Sequence, residues 1–395
     1  MTDWKRTLGK FVSNAEERFD ELAARLRTRL GETQQVNILP YLGYGTPYEL
    51  RLRGRVLEGF ALAVETDKDG TWRNLANMYR RLNTKEVKGA TIRASIGGQA
   101  AEVQTDNEGY FTFVLPLTPP LREAEFWQHV SLELVEGGAD AVKGDVDAPT
   151  SPPVQAIGRV MVPSTQAQFG VISDIDDTVI KTDVQHTLRM AQNTFLRNAR
   201  TRLPFAGVAE FYQALHQGVS VLNPLFYVSN SIWNLYDLFM DFFELRGIPL
   251  GAFFLLDLGL NETYFASLRS GKHKTAVIET LLTTYPTLPF ILIGDSGEKD
   301  PEIYLNAVQQ FPGRIAAVYI RDVAGSVRDR EMEGLIAQAA EAGTEMLLVS
   351  DTIAAAEHAA AHGFIPDDAL PVIREGTFAD KRPTSGTEQL SPLPD

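Results

Sequence analysis

The chain has 395 residues, 44% apolar and 22% charged, with 31 Gly and 21 Pro, which suits a globular protein of two or three domains with real cores. A formal net charge of −14 argues against general nucleic-acid binding, and the absence of cysteine excludes disulfides, thiolate metal sites and a cysteine nucleophile. No apolar stretch follows the start Met1-Thr2-Asp3-Trp4-Lys5-Arg6, and none elsewhere reaches the ~18 residues of a membrane span, so the expectation is a cytoplasmic protein.

Residues 1–33 place Trp4, Leu8, Phe11, Phe19, Leu22, Leu26 and Leu30 at helical spacing with Gly31 as a stop, which predicts an amphipathic helix. Such a helix lies either on a lipid surface or against protein. Glu16, Glu17, Asp20 and Glu21 suit an anionic membrane poorly and favour protein packing.

Residues 34–160 change to short alternating stretches broken by turns, among them 48–56, 90–96, 109–114 and 130–134, which predict an antiparallel β-sandwich accessory domain. The turn from Thr105 to Phe111 resembles the hairpin of small transthyretin-like domains. That resemblance implies an accessory module, names no chemistry and leaves its protein partners open. Gly43 and Gly45 lack the third glycine of a dinucleotide fingerprint, since Tyr48 stands there, and read as a loop. Residues 147–153 have linker composition.

Residues 161–374 alternate strands and helices, which predicts βαβ crossovers and a doubly wound, mainly parallel α/β sheet. After Arg374 the chain is rich in Thr, Ser, Pro and Gly, and 375–395 reads as a disordered tail.

Four places in this third region carry chemistry. The apolar strand before Asp174 delivers Asp174, Asp176 and Asp177 to a strand end, where carboxylates so close repel unless a cation, Mg²⁺ above all, joins them. A solvated turn is the plain alternative. A calcium loop is not, because Val179 and Gln185 occupy its glycine and glutamate positions. Ser229-Asn230-Ser231 follows another strand, with Ser231 alternatively an ordinary helix cap. Lys272 and Lys274 begin a helix, the unfavourable end for a cation unless an anion is near. Asp295 ends a further strand, and Asp300 precedes Pro301, where it either joins the site or caps the helix.

In residue type, order and placement these four pieces resemble the haloacid-dehalogenase superfamily of phosphotransferases, a Rossmann-like fold. Residues 170–178, 227–237 and 294–304, with the segment 319–323, resemble more narrowly the catalytic domain of the fungal actin-patch phosphatidate phosphatase family. Asn230 departs mildly from that pattern, which has serine there. The resemblance implies a Mg²⁺-dependent phosphatase that converts phosphatidate to diacylglycerol and phosphate. Asp174 would be the nucleophile and Asp176 the acid and base, while Thr178, Ser229, Asn230 and Lys274 would hold the phosphoryl group. Asp174, the Asp176 carbonyl and Asp295 would hold the metal, with Asp300 supporting the metal or Lys274. Lys272 is the alternative phosphate-binding lysine.

The segment 181–205, between the first two motifs, holds Lys181, Arg189, Arg197, Arg200 and Arg202 against Asp183 alone. It predicts a basic cap in peripheral contact with an anionic bilayer, with Arg197 and Arg200 near the substrate; pairing with acids elsewhere in the protein is the other reading. The same chemistry on a soluble phosphomonoester, and a scaffold with a vestigial core, are the competing functions. His358 and His362, four apart on a predicted helix, suggest a metal pair with no evident third ligand, and read as a surface pair.

Overall fold

The computed structural model describes residues 34–60, 85–121, 125–137, 153–180, 205–256, 271–323 and 328–381. The predicted N-terminal helix, the linker through 152, residues 181–204 and the chain beyond 381 lie outside them.

The first nine strands are β1 (Gln34–Pro40), β2 (Gly43–Thr46), β3 (Glu49–Phe60), β4 (Lys85–Glu86), β5 (Thr91–Ile96), β6 (Gln99–Gln104), β7 (Tyr110–Pro116), β8 (Trp127–Glu136) and β9 (Gln155–Met161). Hydrogen bonds join them in one sheet, mostly antiparallel, with β2 and β9 running parallel. Long β3 organises it, pairing with β1 and β2 along one edge and with β4 and β7 along the other. Alternating residues Leu50, Leu52, Val56, Ile92, Phe111 and Phe113 point into a single apolar core, as period-two patterning requires.

Two expectations change here. Gly43 and Gly45 belong to strand β2 rather than a loop, and a Cβ on either would run into the β3 backbone, so glycine is what lets the strands approach. The turn after β6 is not a hairpin, because β6 pairs with β5 and β7 with β3. It is held by Asp106, whose Oδ1 accepts from the backbone N–H groups of Glu108 and Tyr110, each at 2.9 Å.

A second sheet contains β10 (Gly170–Asp174), β11 (Leu225–Ile232), β12 (Ala252–Leu256), β13 (Phe290–Asp295), β14 (Ile315–Arg321) and β15 (Met346–Val349). All pairings are parallel, in the order β12-β11-β10-β13-β14-β15. The helices are α1 (Val208–Gln217), α2 (Tyr236–Arg246), α3 (Lys272–Thr284), α4 (Asp300–Gln310), α5 (Asp329–Glu341), α6 (Thr352–Ala361) and α7 (Ala369–Lys381).

Successive residues of each central strand feed opposite cores. Val171, Tyr227, Ile291 and Tyr319 pack with α1, α2, α6 and α7, whereas Ile172, Phe226, Leu292 and Val318 pack with α3, α4 and α5. The sheet is covered on both faces, which is why its strands read as continuous apolar stretches. The region expected to become a tail after 374 continues as α7 to Lys381, with Ile373 and Thr377 buried and Asp380 accepting from the Gly207 N–H at 3.0 Å.

The two sheets share a contact built from aromatic residues. Tyr41 stacks on Trp233 with ring centres 4.6 Å apart, Tyr236 Oη accepts from the Leu42 N–H at 2.9 Å, and Tyr285 Oη donates to the Gly45 carbonyl at 3.0 Å. No described helix is long and apolar enough to cross a membrane.

Candidate active site

The chain runs outward from β10 through β11 to β12, then returns to the other side of β10 as β13. The crevice above the strand ends at such a reversal is where parallel sheets bind ligands. Here both strands flanking it end in an aspartate, Asp174 on β10 and Asp295 on β13.

Beyond Asp174 the loop curls tightly: Asp177 adopts φ 55°, a left-handed conformation that Asp tolerates better than most side chains, and the N–H groups of Val179 and Ile180 both return to the Ile175 carbonyl. This turn brings the Asp176 carboxylate to β11. There its Oδ2 accepts from Ser229 Oγ at 2.8 Å and from Ser231 Oγ at 3.3 Å. Ser231 is therefore no helix cap. Strand β11 bulges between Val228 and Ile232, and a short 3₁₀ turn at Trp233–Leu235 intervenes before α2.

Lys274 lies in the first turn of α3 and is buried, whereas Lys272 is exposed. Its Nζ reaches Asp174 Oδ1 at 2.7 Å, Asp300 Oδ1 at 2.5 Å and Glu298 Oε2 at 3.0 Å. These anions offset a cation placed at the positive end of a helix. Burial by itself would lower the Lys274 pKa, but Asp174, Asp300 and Glu298 outweigh it and hold the ammonium well above its ordinary value.

Asp300 is the first residue of α4, and Lys299 occupies the cap position, so Asp300 is not the helix cap. Its carboxylate turns back over Gly294, where any side chain would collide with it, and its Oδ2 accepts from the Asp295 N–H at 3.4 Å. Asp295 Oδ1 in turn accepts from the N–H groups of Gly297 and Glu298, at 2.6 and 3.0 Å. Arg328 pins the same loop from outside by donating to the carbonyls of Ser296 and Glu298, both at 2.8 Å.

Asp174, Asp295 and Asp300 thus crowd together in a buried place, with ligand oxygens within 4.8 Å of one another. Burial raises the Asp174 pKa well above its ordinary value, with Lys274 pulling against it, and burial with Asp300 pushes Asp295 up to about 7. Burial also raises Asp176 and Asp300. Asp174 Oδ2 and Asp295 Oδ2 have no hydrogen-bond partner among the described residues. Buried carboxylate oxygens are costly in that state. Two such oxygens from adjacent strand ends, with no nitrogen or sulfur ligand beside them among the described residues, fit a hard, oxygen-loving cation such as Mg²⁺.

The sequence-derived candidates distribute as follows. Asp174, Lys274, Asp295 and Asp300 form one cluster, to which Asp176 and Ser229 are adjacent. The Asp176 carboxylate engages the serines, apart from the three clustered acids. Thr178 is buried with its hydroxyl unpartnered among the described residues, and Asn230 donates to Glu298 Oε2 at 3.2 Å. Arg197 and Arg200 lie outside the described residues. Phe205, where that segment ends, donates its N–H to the Val179 carbonyl at 3.3 Å, so Phe205 itself lies beside the Asp174 loop.

Part of the chain is similar to known proteins. Residues 169–322 match the family described as phosphatidate phosphatase APP1, catalytic domain. This segment resembles the APP1 catalytic domain. The Saccharomyces cerevisiae phosphatidate phosphatase APP1 is 36% identical over 162 residues, which is 41% of this chain and 27% of that protein. An uncharacterized protein of Schizosaccharomyces pombe is 29% identical over 157 residues, 39% of this chain and 25% of that protein. The chain therefore aligns with about a quarter of the length of these relatives. A carbohydrate acetylesterase from Xanthomonas citri aligns over 88% of this chain and 74% of its own at 11% identity, with a TM-score of 0.27, too low to bear on fold or function.

Three contributors escaped the sequence reading. Glu298 shares Lys274 and Asn230, Ser231 holds Asp176, and Arg328 fixes the loop after Asp295. Glu298 and Ser231 stood inside segments already singled out. Arg328 had no local signal, because its role depends on α5 packing beside α4.

Proposed function

We propose that this chain is a Mg²⁺-dependent phosphatidate phosphatase of the haloacid-dehalogenase type. The observation that carries the proposal is the buried Asp174–Asp295 pair with unpartnered oxygens beside Lys274, inside the segment that resembles a phosphatidate phosphatase catalytic domain.

In this reading an Asp174 oxygen attacks phosphorus and the bond from phosphorus to the glycerol oxygen breaks. Asp176, its pKa raised by burial and its position set by Ser229 and Ser231, gives a proton to that leaving oxygen. The product left on the protein is an aspartyl-phosphate. Asp176, now ionised, takes a proton from water as the water oxygen attacks phosphorus, which frees phosphate and restores the Asp174 carboxylate. Lys274 neutralises Asp174 and the phosphoryl oxygens, and Asp300 holds Lys274 in place. Bound Mg²⁺, held by Asp174 and Asp295, would supply further positive charge to the transferring group.

The basic segment 181–205 enters this proposal as the part that meets lipid. In sequence it follows the Asp174 loop directly, and each of its basic residues near an anionic surface is worth about 1 kcal/mol. The test measures phosphate release from phosphatidate in anionic vesicles and from p-nitrophenyl phosphate, with Mg²⁺ and with excess chelator. The expected outcome is chelator-sensitive release from both, with loss on vesicles alone when Arg197, Arg200 and Arg202 become Gln. Full activity in chelator would remove the metal from the proposal. Equal rates of the triple variant on both substrates would replace phosphatidate by a soluble phosphomonoester.

A further inference from the structure

At the opposite edge of the parallel sheet, away from Asp174, lies a second convergence of ligand-type side chains. Glu345 immediately precedes β15, and its backbone carbonyl is fixed by the Val318 N–H at 2.9 Å. His358 lies in the last turn of α6, and His362 one residue past its end. Both histidines turn Nε2 toward the same oxygen, Glu345 Oε2, at 2.5 Å from His358 and 3.4 Å from His362.

The other ring nitrogens are already used. His362 Nδ1 lies 2.9 Å from the His358 carbonyl, which can only accept, so Nδ1 carries the proton and Nε2 of the neutral ring presents a lone pair. His358 Nδ1 lies 2.9 Å from Tyr319 Oη on β14. The rings stack with centres 4.0 Å apart, which keeps the two Nε2 atoms side by side. A lone pair aimed at a carboxylate oxygen needs a positive species between them, either a proton or a metal ion. Between His358 and Glu345, 2.5 Å apart, that positive species is a proton, and a metal ion would replace it only as Nε2 and Oε2 spread to the ~3 Å that two ~2 Å metal bonds require. Metal-bound histidines characteristically have the second nitrogen held by a carbonyl or another polar group, which fixes tautomer and ring direction, and both rings here meet that requirement.

We infer that Glu345, His358 and His362 form a second metal site, for a divalent transition ion of the zinc class. Two imidazole nitrogens and one carboxylate oxygen suit Zn²⁺, Co²⁺ or Ni²⁺ and do not suit Mg²⁺, so this site and the all-oxygen cluster at Asp174 select different ions. Side-chain exposures of 42% for His362 and 63% for Glu345 leave the ion a way in and a coordination position for water. Bound there, it ties the end of α6 to the start of β15. An ion that binds the folded chain and not the unfolded one stabilises it by mass action.

The experiment takes the full chain, stripped with chelator and returned to saturating Mg²⁺, and titrates it with Zn²⁺ by calorimetry at pH 7.5. Thermal unfolding with and without Zn²⁺ runs in parallel, and Co²⁺ serves as a spectroscopic probe. The wild-type protein should bind one Zn²⁺ more tightly than His362→Gln and Glu345→Gln, by about tenfold or more. Its Zn²⁺-dependent rise in Tm should disappear in both variants, as should the visible Co²⁺ band. Both substitutions fall at exposed side chains, and phosphatase turnover without Zn²⁺ should match wild type, which also shows that the variants fold. Equal Zn²⁺ affinity and equal Tm gain in wild type and variants would overturn the site, leaving a proton shared by the histidines and Glu345.

Discussion

The two sheets differ in what their buried charged groups are paired with. In the mostly antiparallel sheet the buried Thr105 hydroxyl donates to the Val87 carbonyl at 2.6 Å and accepts from the Ala90 N–H at 2.9 Å, and Arg55 is satisfied by the Glu108 carbonyl and Glu86. Each such group closes a local structural account. In the parallel sheet, three acids and one lysine are buried at one edge with carboxylate oxygens left over. Polar groups buried beyond what packing requires mark the place where chemistry happens.

That contrast can be broken in order of expected effect. Asp174→Asn should lower turnover on the order of 10⁴-fold while the protein remains folded, because it removes the attacking oxygen and not a packing contact. Rates within tenfold of wild type would show that Asp174 is not the nucleophile. Leu52→Ala, in the core of the first sheet, should do the reverse. It is expected to cost about 2 to 5 kcal/mol in denaturant unfolding and to leave turnover of the folded protein nearly unchanged. A selective loss of turnover at unchanged stability would mean that the first sheet takes part in catalysis.

The smallest effect is a pH dependence. Burial, with Asp300 next, holds Asp295 up at about 7, against about 3.9 in an unfolded chain. The folded state therefore binds this proton more tightly. Without a divalent ion, the contribution of Asp295 is most favourable below pH 4 and is lost as pH rises toward 7. Asp295→Asn removes that loss, so in chelator the Tm of the variant relative to wild type should climb between pH 4 and 7. Mg²⁺ should raise the wild-type Tm increasingly over the same range, since the ionised carboxylate is the ligand. A difference in Tm that stays flat with pH would contradict the assigned burial.

Much of the parallel sheet was legible because strands covered on both faces are unbroken apolar stretches, as in Phe290-Ile291-Leu292-Ile293. Strand β6 was not, since its residues alternate between half-buried and exposed and none is fully buried. Helix α7 was hidden by the Pro- and Ser-rich residues that follow it, although Ile373 and Thr377 keep a helical spacing toward the core. In the site, Asp174, Asp176 and Asp295 were visible because each lies at or just past a strand end with an apolar stretch before it. The choice between Lys272 and Lys274 was not, because both begin α3 and it depends on which side of that first turn faces the crevice. Glu345 was invisible as a partner of His358, as they lie thirteen positions apart with a strand between them, and only the docking of α6 beside β15 joins them.

The most direct measurement is acid-quenched peptide mass spectrometry of Asp176→Asn during reaction with p-nitrophenyl phosphate, whose phenolate leaves without a proton. Asp176 is the acid of formation and the base of breakdown, so with this leaving group its loss spares formation and slows only the attack of water. A phosphoryl group should therefore accumulate on the peptide containing Asp174, and it should be absent from Asp174→Asn. A phosphoryl group on any other residue, or one that persists in Asp174→Asn, would contradict the account.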